Sequence, residues 1–458
     1  MYIQQLYTNC LAEAAYYIES DGEAAVIDPL RETEPYLQLA EKRNAQIKYV
    51  FETHFHADFV SGHIDLAAKA DAAIVYGPEA QPTYKFYSAK DGEIFTIGKI
   101  KIKVLHTPGH TPESTCYLLI DESGKDYAVF TGDTLFVGDV GRPDLLDGIM
   151  TQDELASKLY DSLNTKIKKL ADDVIVYPAH GPGSACGKNI GKETQSTIGQ
   201  QKKFNYALQE MSRDEFIAKV TEGILPPPQY FFEDARINKV GYDPLDQVIE
   251  RNTKPLSEDD VLGFVKNGAI ILDTRKADDF EKGFIPGAIN IGLNGQFAVW
   301  VGTLVDISKK LVLVTEPGQE KESVLRLARV GYENVAGYLE DGMNGWSGAK
   351  DSVNSITAEE LKNKMSRVDG VLDVRKPGEW NNGHLKVAVF LPLADFPENL
   401  HDVEKDKTYI VHCGGGYRSM TAISIMKNHG FKNLVNVYGG FGAMEKAGLE
   451  FVKDEVAV

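Results

Sequence analysis

Short apolar runs separated by polar turns fill the first 245 or so residues: AAVIDP, YVFETH, AAIVYG, IKIKVLHTPGH, CYLLI, YAVFTGD and DVIVYPAHG. Runs of this length, rich in Val, Ile, Tyr and Phe and closed by turn-forming residues, predict β-strands. Several of them end in His or Asp. The run LPPPQYFF, with Pro226, Pro227 and Pro228, cannot continue a helix or a central strand, so it predicts a rigid stretch closing this region.

Beyond about Lys254 the pattern repeats. ILDTRKADDF (271–280) returns as VLDVRKPGEW (371–380), LVLVT (311–315) as YIVHC (409–413), and GYENVAGYLEDG (331–342) as GFKNLVNVYGGF (430–441). Each copy alternates apolar strands with helical stretches such as ESVLRLARVG and SMTAISIMKNHG, which predicts two parallel α/β sheets. The expected domains are residues 1–250, 254–350 and 351–458, a count consistent with 458 residues.

Charge narrows the partners. Lys plus Arg number 49 against 67 Asp plus Glu, and the net charge of -18 repels phosphate backbones and anionic lipid surfaces. Nucleic acid and membrane are therefore not expected as partners. No window approaches the roughly 20 apolar residues of a membrane span, and MYIQQLYTNC is unlike a secretion signal, so a cytoplasmic location is expected. Four scattered cysteines do not form a disulfide framework. Cys116, inside TCYLLI, and Cys10, beside apolar residues, are expected in the core.

The strongest chemical signal is THFHAD (53–58), directly after YVFE. Its His54, His56 and Asp58 alternate along the chain and can converge on one cation; solvated surface residues are the alternative. His110 in HTPGHT, Asp133 in FTGDT and His180 in YPAHG close three more strands. This order of motifs resembles the metallo-β-lactamase superfamily, which implies an αββα fold. The dinuclear hydrolases of that superfamily read HxHxDH at the first motif, whereas this chain has Phe59 at the last position. Phenylalanine cannot ligate, so a mononuclear centre is expected.

Within the superfamily the chain looks most like the persulfide dioxygenases. That resemblance implies one Fe(II) per chain on His54, His110 and Asp133, with His56, Asp58 and His180 around it. Two His and one carboxylate leave open positions for substrate and O2. The oxidation would release sulfite and a thiol. Asp28 in VIDP is expected to hold neighbouring backbone. GRPD (141–144) resembles the family's substrate segment, making Arg142 the candidate anion contact; Tyr177 is assigned to the same role. Val140 and Pro143 depart from the glutathione-using pattern, leaving the thiol open between glutathione, coenzyme A and others. Cys186, in HGPGSACGK, could carry a persulfide toward the iron, as in similar fusion proteins, or be a passive half-buried thiol.

In the last repeat TYIVH runs into CGGGYRS (413–419) and then a helix-like segment. A Cys heading a glycine loop at a helix N-terminus meets backbone N–H groups that stabilise a thiolate or a persulfide. With VLDVRKPGEW, this loop resembles the active rhodanese domain: Cys413 is the expected nucleophile, Arg418 charges the loop, and Gly414, Gly415, Gly416 and Tyr417 complete it. Asp373 and Arg375 fit the family's structural pair. The first repeat carries Thr315 and Glu316 near the Cys position and no cysteine, so it is expected to be catalytically dead.

The whole chain therefore reads as an α/β multidomain enzyme, an αββα domain followed by two rhodanese domains with parallel sheets. A thiol persulfide, O2 and sulfite or thiosulfate are its expected small-molecule partners, and similarity suggests a homo-oligomer. A two-zinc hydrolase of glutathione thioesters and a non-oxidising sulfur carrier are the rivals.

Overall fold

The computed structural model describes residues 1–145, 150–365 and 368–453. The chain forms two compact units, Met1–Val248 with Ala328–Gly331, and Ile249–Leu327 with Tyr332–Val458. Among the described residues no helix is long and apolar enough to cross a membrane.

The first unit holds two six-stranded sheets. One runs in chain order through β1 (Tyr2–Thr8), β2 (Glu13–Ser20), β3 (Glu23–Ile27), β4 (Gln46–Glu52), β5 (Ala73–Tyr76) and β6 (Tyr87–Ser88). The other joins β7 (Ile94–Ile97), β8 (Ile100–His106), β9 (Thr115–Ile120), β10 (Asp126–Gly132), β11 (Ile175–Pro178) and β12 (Ser196–Thr197). The period of two in β2 shows why the sheets stack. Ala14, Tyr16 and Ile18 enter the core between the sheets with Phe51, Tyr117 and Phe130, while Ala15 and Tyr17 face Tyr36, Ala40 and Leu66. Helix Gln152–Thr165 covers the outer face of the second sheet through Ala156, Leu159 and Leu163. The result is the expected αββα sandwich.

The second unit contains the repeat. Strands β13 (Pro255–Leu256), β14 (Ile270–Asp273), β15 (Ile289–Asn290), β16 (Leu311–Val314) and β17 (Val335–Leu339) form a sheet of order 13-17-16-14-15. Strands β18 (Asn354–Ile356), β19 (Gly370–Asp373), β20 (Ala388–Phe390), β21 (Thr408–His412) and β22 (Asn433–Val437) follow with order 18-22-21-19-20, the same path. All the pairings are parallel. In both copies the first strand leads into a helix with a capping box, Ser257 with Asp260 and Thr357 with Glu360. Both also bury one Asp–Arg clamp. Arg275 donates to Asp273 and the Gly283 carbonyl, as Arg375 does to Asp373 and the Gly383 carbonyl.

Candidate metal centre and sulfur-transfer loop

Four chain segments deliver the charged cluster of the first unit. β4 ends at Glu52, and Asp28 accepts from the Thr53 amide at 2.7 Å and its hydroxyl at 2.8 Å, fixing the start of THFHAD. Asp28 thus holds backbone, as expected. β10 ends at Gly132, whose φ of +50° and close approach to Thr53 (2.6 Å from a built Cβ) leave room for no side chain before Asp133. His180 follows β11, held where Gly181 donates to the Ala12 carbonyl and Ala14 to the Ala179 carbonyl. β8 stops at His106, so His110 lies in the loop after it and not at the strand end.

All these side chains are buried, yet His54 Nε2, His110 Nε2, both His180 nitrogens and both Asp133 oxygens make no hydrogen bond to protein. Buried polar atoms are normally paired, so such a convergence fits a cation. Asp133 Oδ2 lies 3.5 Å from His110 Nε2 and 3.9 Å from His54 Nε2, while Oδ1 lies 3.4 Å from His180 Nε2. These atoms lie close enough to share one cation and form no hydrogen bonds among themselves. His110 donates Nδ1–H to the Arg142 carbonyl at 2.8 Å, which leaves Nε2 with a lone pair for metal. Burial, reinforced by the surrounding imidazoles, pushes His54 well below the usual histidine value. The residues present therefore fit a metal on His54, His110 and Asp133.

His56 differs. Burial alone would lower it, but Asp28, 3.1 Å from its Nε2, and Glu52 outweigh burial and hold it up at about 9. Asp58 and His180 approach to 3.4 Å on the far side of Asp133. Phe59, fully buried, lies tilted against the His56 ring with centroids 4.3 Å apart.

Four other residues stand differently from expectation. Arg142 is 5% exposed, and its guanidinium is spent on Asp144 and on the Leu225 and Ala185 carbonyls, so an anion would have to displace these partners. Tyr177, half-buried, stacks on Phe130 at 5.3 Å against the core between the sheets, because β11 sets it opposite Phe130. Cys186 is buried, not half-buried, and burial, with the nearby Asp58 and Asp133 charges, pushes its thiol well up. Cys116 is core, as expected, its thiol raised to about 11 by burial, whereas Cys10 lies in the turn after β1 and is partly exposed. Asn238 carried no sequence signal. From helix Phe231–Val240 it donates to the His56 and Phe59 carbonyls and accepts from the Ser61 amide, clamping the whole THFHADF turn.

In the second unit Cys413 follows β21, buried, with the Gly416 amide donating to its sulfur at 3.1 Å. Gly416, at φ +101°, starts the helix Tyr417–Asn428 and turns that amide inward. Ser419 Oγ lies 3.6 Å from the sulfur and donates to Asn436 Oδ1. Arg418 grips Glu379 through both terminal nitrogens, at 2.5 and 2.7 Å, which fixes its charge beside the loop. Gly414 and Gly415 complete the turn. The Tyr417 side chain is engaged elsewhere, its hydroxyl donating to the Gly292 carbonyl of the first repeat. In that repeat Val314 pairs with Asp273 as His412 pairs with Asp373, so Thr315 stands where Cys413 does.

Residues 8–180 match the metallo-beta-lactamase superfamily model. The chain is 31% identical over 217 residues to a probable hydroxyacylglutathione hydrolase, glo2, of Schizosaccharomyces pombe, covering 42% of this chain and 80% of that one. This chain belongs to the metallo-β-lactamase superfamily. Its superfamily domain is 35% identical over 179 residues to the cytoplasmic hydroxyacylglutathione hydrolase of Arabidopsis thaliana, with 38% and 66% covered. The rhodanese-like domain model matches residues 257–349 and 357–447. A crystal structure of a metallo-beta-lactamase from Staphylococcus aureus subsp. aureus COL is similar at 32% identity and a TM-score of 0.65, covering 74% of this chain and 98% of that one. The superfamily sandwich and the rhodanese-like domains therefore occur together in this chain.

Proposed function

We propose that this chain is a persulfide dioxygenase coupled to a rhodanese sulfurtransferase, with one Fe(II) held by His54, His110 and Asp133. The observation that carries the reading is Phe59, buried against His56 where a dinuclear hydrolase needs an imidazole. A facial pair of imidazoles with one carboxylate and a rhodanese loop in the same chain support it.

When bound, the iron supplies open positions at which a persulfide and O2 can meet. The chain's own groups do the rest. Asn238 and Asp28 keep the His54 turn rigid, the Arg142 carbonyl keeps His110 in its metal-binding tautomer, and the buried wall excludes bulk water. Overall a persulfide, O2 and water give a thiol, sulfite and protons; the outer sulfur loses four electrons and O2 gains them. At the second site the Cys413 thiolate takes the outer sulfur of a second thiol persulfide, whose thiol leaves, and the resulting Cys413 persulfide gives that sulfur to sulfite. The S–S bond breaks, thiosulfate forms, and the cysteine thiolate leaves beside the Gly416 amide. The reverse traffic, from thiosulfate to a thiol persulfide, uses the same groups.

A second reading, a two-metal thioesterase like the hydroxyacylglutathione hydrolases, is favoured by Asp58 and His180 standing beside Asp133 Oδ1. The test gives the Fe(II)-loaded chain glutathione persulfide or coenzyme A persulfide in an oxygen electrode, and gives the zinc-loaded chain a glutathione thioester. Persulfide-dependent oxygen uptake without thioester hydrolysis is expected. Hydrolysis without uptake would establish the second reading instead.

A further inference from the structure

We propose that the first rhodanese-like repeat, which has no cysteine, is a working part of the sulfur-transfer site: its 292–295 turn seats Tyr417 and so aims the Gly416 amide at Cys413. Tyr417 is a positioning residue in this arrangement. The inference rests on sulfur transfer at Cys413 and does not depend on oxidation in the first unit. Both repeats lie in one compact unit, and the contact between them is direct. The Tyr417 hydroxyl donates to the Gly292 carbonyl at 2.8 Å. A Cβ at Gly295 would stand 2.6 Å from the Tyr417 ring, and one at Gly292 would stand 3.4 Å from it. Neither glycine has a positive φ, so at Gly295 it is the ring, and not the backbone, that excludes a side chain. Burial pushes the phenol up, and its hydroxyl keeps the proton it donates.

The turn is itself braced. The Leu293 amide donates to the Thr274 carbonyl at 3.0 Å, and Arg326 Nη1 donates to the Leu293 carbonyl at 2.7 Å. Helix Tyr417–Asn428 is tied to the same segment twice more. The Asn290 amide donates to Ser424 Oγ at 3.0 Å, and the Asn428 side chain donates to the Gly287 carbonyl at 2.9 Å. Positions 417, 424 and 428 share one helical face, so a single stripe fastens the helix along β15. Gly416 precedes Tyr417 at φ +101°, its amide 3.1 Å from Cys413 Sγ and its carbonyl accepting from Ser419 Oγ at 3.1 Å. A side chain fixed at the first helical position leaves the preceding glycine little freedom, so that amide stays on the sulfur. The stripe belongs to the active copy alone. Counting from the matched strand ends Val314 and His412, the first repeat has Gln319 at the place of Tyr417 and Arg326 at that of Ser424.

The test uses the full chain and follows thiocyanate formed from thiosulfate and cyanide, sulfite being the other product. Tyr417→Phe keeps the ring and loses one hydrogen bond. Its kcat should fall about fivefold with KM for thiosulfate within about twofold, because the amide acts on the sulfur and not on binding of the donor. Gly295→Ala should lower kcat at least about tenfold in the parent chain and add nothing in a Tyr417→Leu chain, where the ring it strikes is gone. Iodoacetamide capture of Cys413, read by mass spectrometry, should slow in Tyr417→Phe and Gly295→Ala, and it needs no turnover. An equal loss from Gly295→Ala in both backgrounds, or unchanged kcat and capture in Tyr417→Phe, would overturn the proposal. A parent chain that forms no thiocyanate would defeat the sulfur-transfer reading instead, and the capture rates would then decide the positioning by themselves.

Discussion

The two rhodanese-like repeats share one skeleton and differ in one loop. Strand order, capping boxes and the Asp–Arg clamp recur, down to the glycine carbonyl that each arginine reaches. At the end of the equivalent strands, Cys413 and its three glycines face Thr315, Glu316 and Pro317. The loop can be lost without the scaffold because the clamp, not the loop, ties the strand ends together. Residues kept in both copies mark folding, and residues present in one mark chemistry.

The largest effect should come from the loop. Cys413→Ser should lower sulfur transfer to cyanide or sulfite by at least about 10³-fold, since no covalent sulfur carrier remains, with the urea midpoint unchanged. The clamps should behave alike in both copies. Arg375→Ala and Arg275→Ala each strand a buried aspartate and should cost about 3–5 kcal/mol by urea unfolding. A large cost in only one repeat would break the equivalence.

His412 separates the copies by pH. Burial holds it down at about 4, against 6.5 for an ordinary histidine. The unfolded chain binds that proton first, so this contribution rises with pH between about 4 and 6.5 and is lost as pH falls. The loss reaches about 3 kcal/mol at the acid end. His412→Val, which copies Val314 of the first repeat, should flatten the acid limb of a stability-against-pH curve. Smaller still, Arg418→Lys should slow sulfur transfer about tenfold by losing one charge-assisted bond of roughly 1.5 kcal/mol to Glu379. Glu316→Gln, on the exposed loop of the first repeat, should leave stability within about 0.5 kcal/mol of wild type and transfer unchanged.

The same separation explains what could be read in advance. Motifs at strand ends are local, so His54, Asp133, His180 and the Cys413 loop could be picked out from sequence spacing, and the internal repeat gave the second unit's architecture. What depends on register or on distant loops could not. Tyr177 faces the core because its strand places it opposite Phe130, and a shift of one residue would have turned it outward. Spacing alone does not show that Asp144 and the Ala185 and Leu225 carbonyls enclose the Arg142 guanidinium. Asn238, far along the chain in an ordinary helix, reaches the first metal motif only through the fold.

The most direct test of the central claim is stoichiometry. Oxygen consumed, sulfite and thiosulfate are measured for the Fe(II)-loaded chain and for Cys413→Ser, each given glutathione persulfide or coenzyme A persulfide. The account predicts one sulfur oxidised per O2 in both proteins, appearing as thiosulfate in the parent chain and as sulfite in the variant. Persulfide that elicits no oxygen uptake from the iron-loaded chain would contradict it.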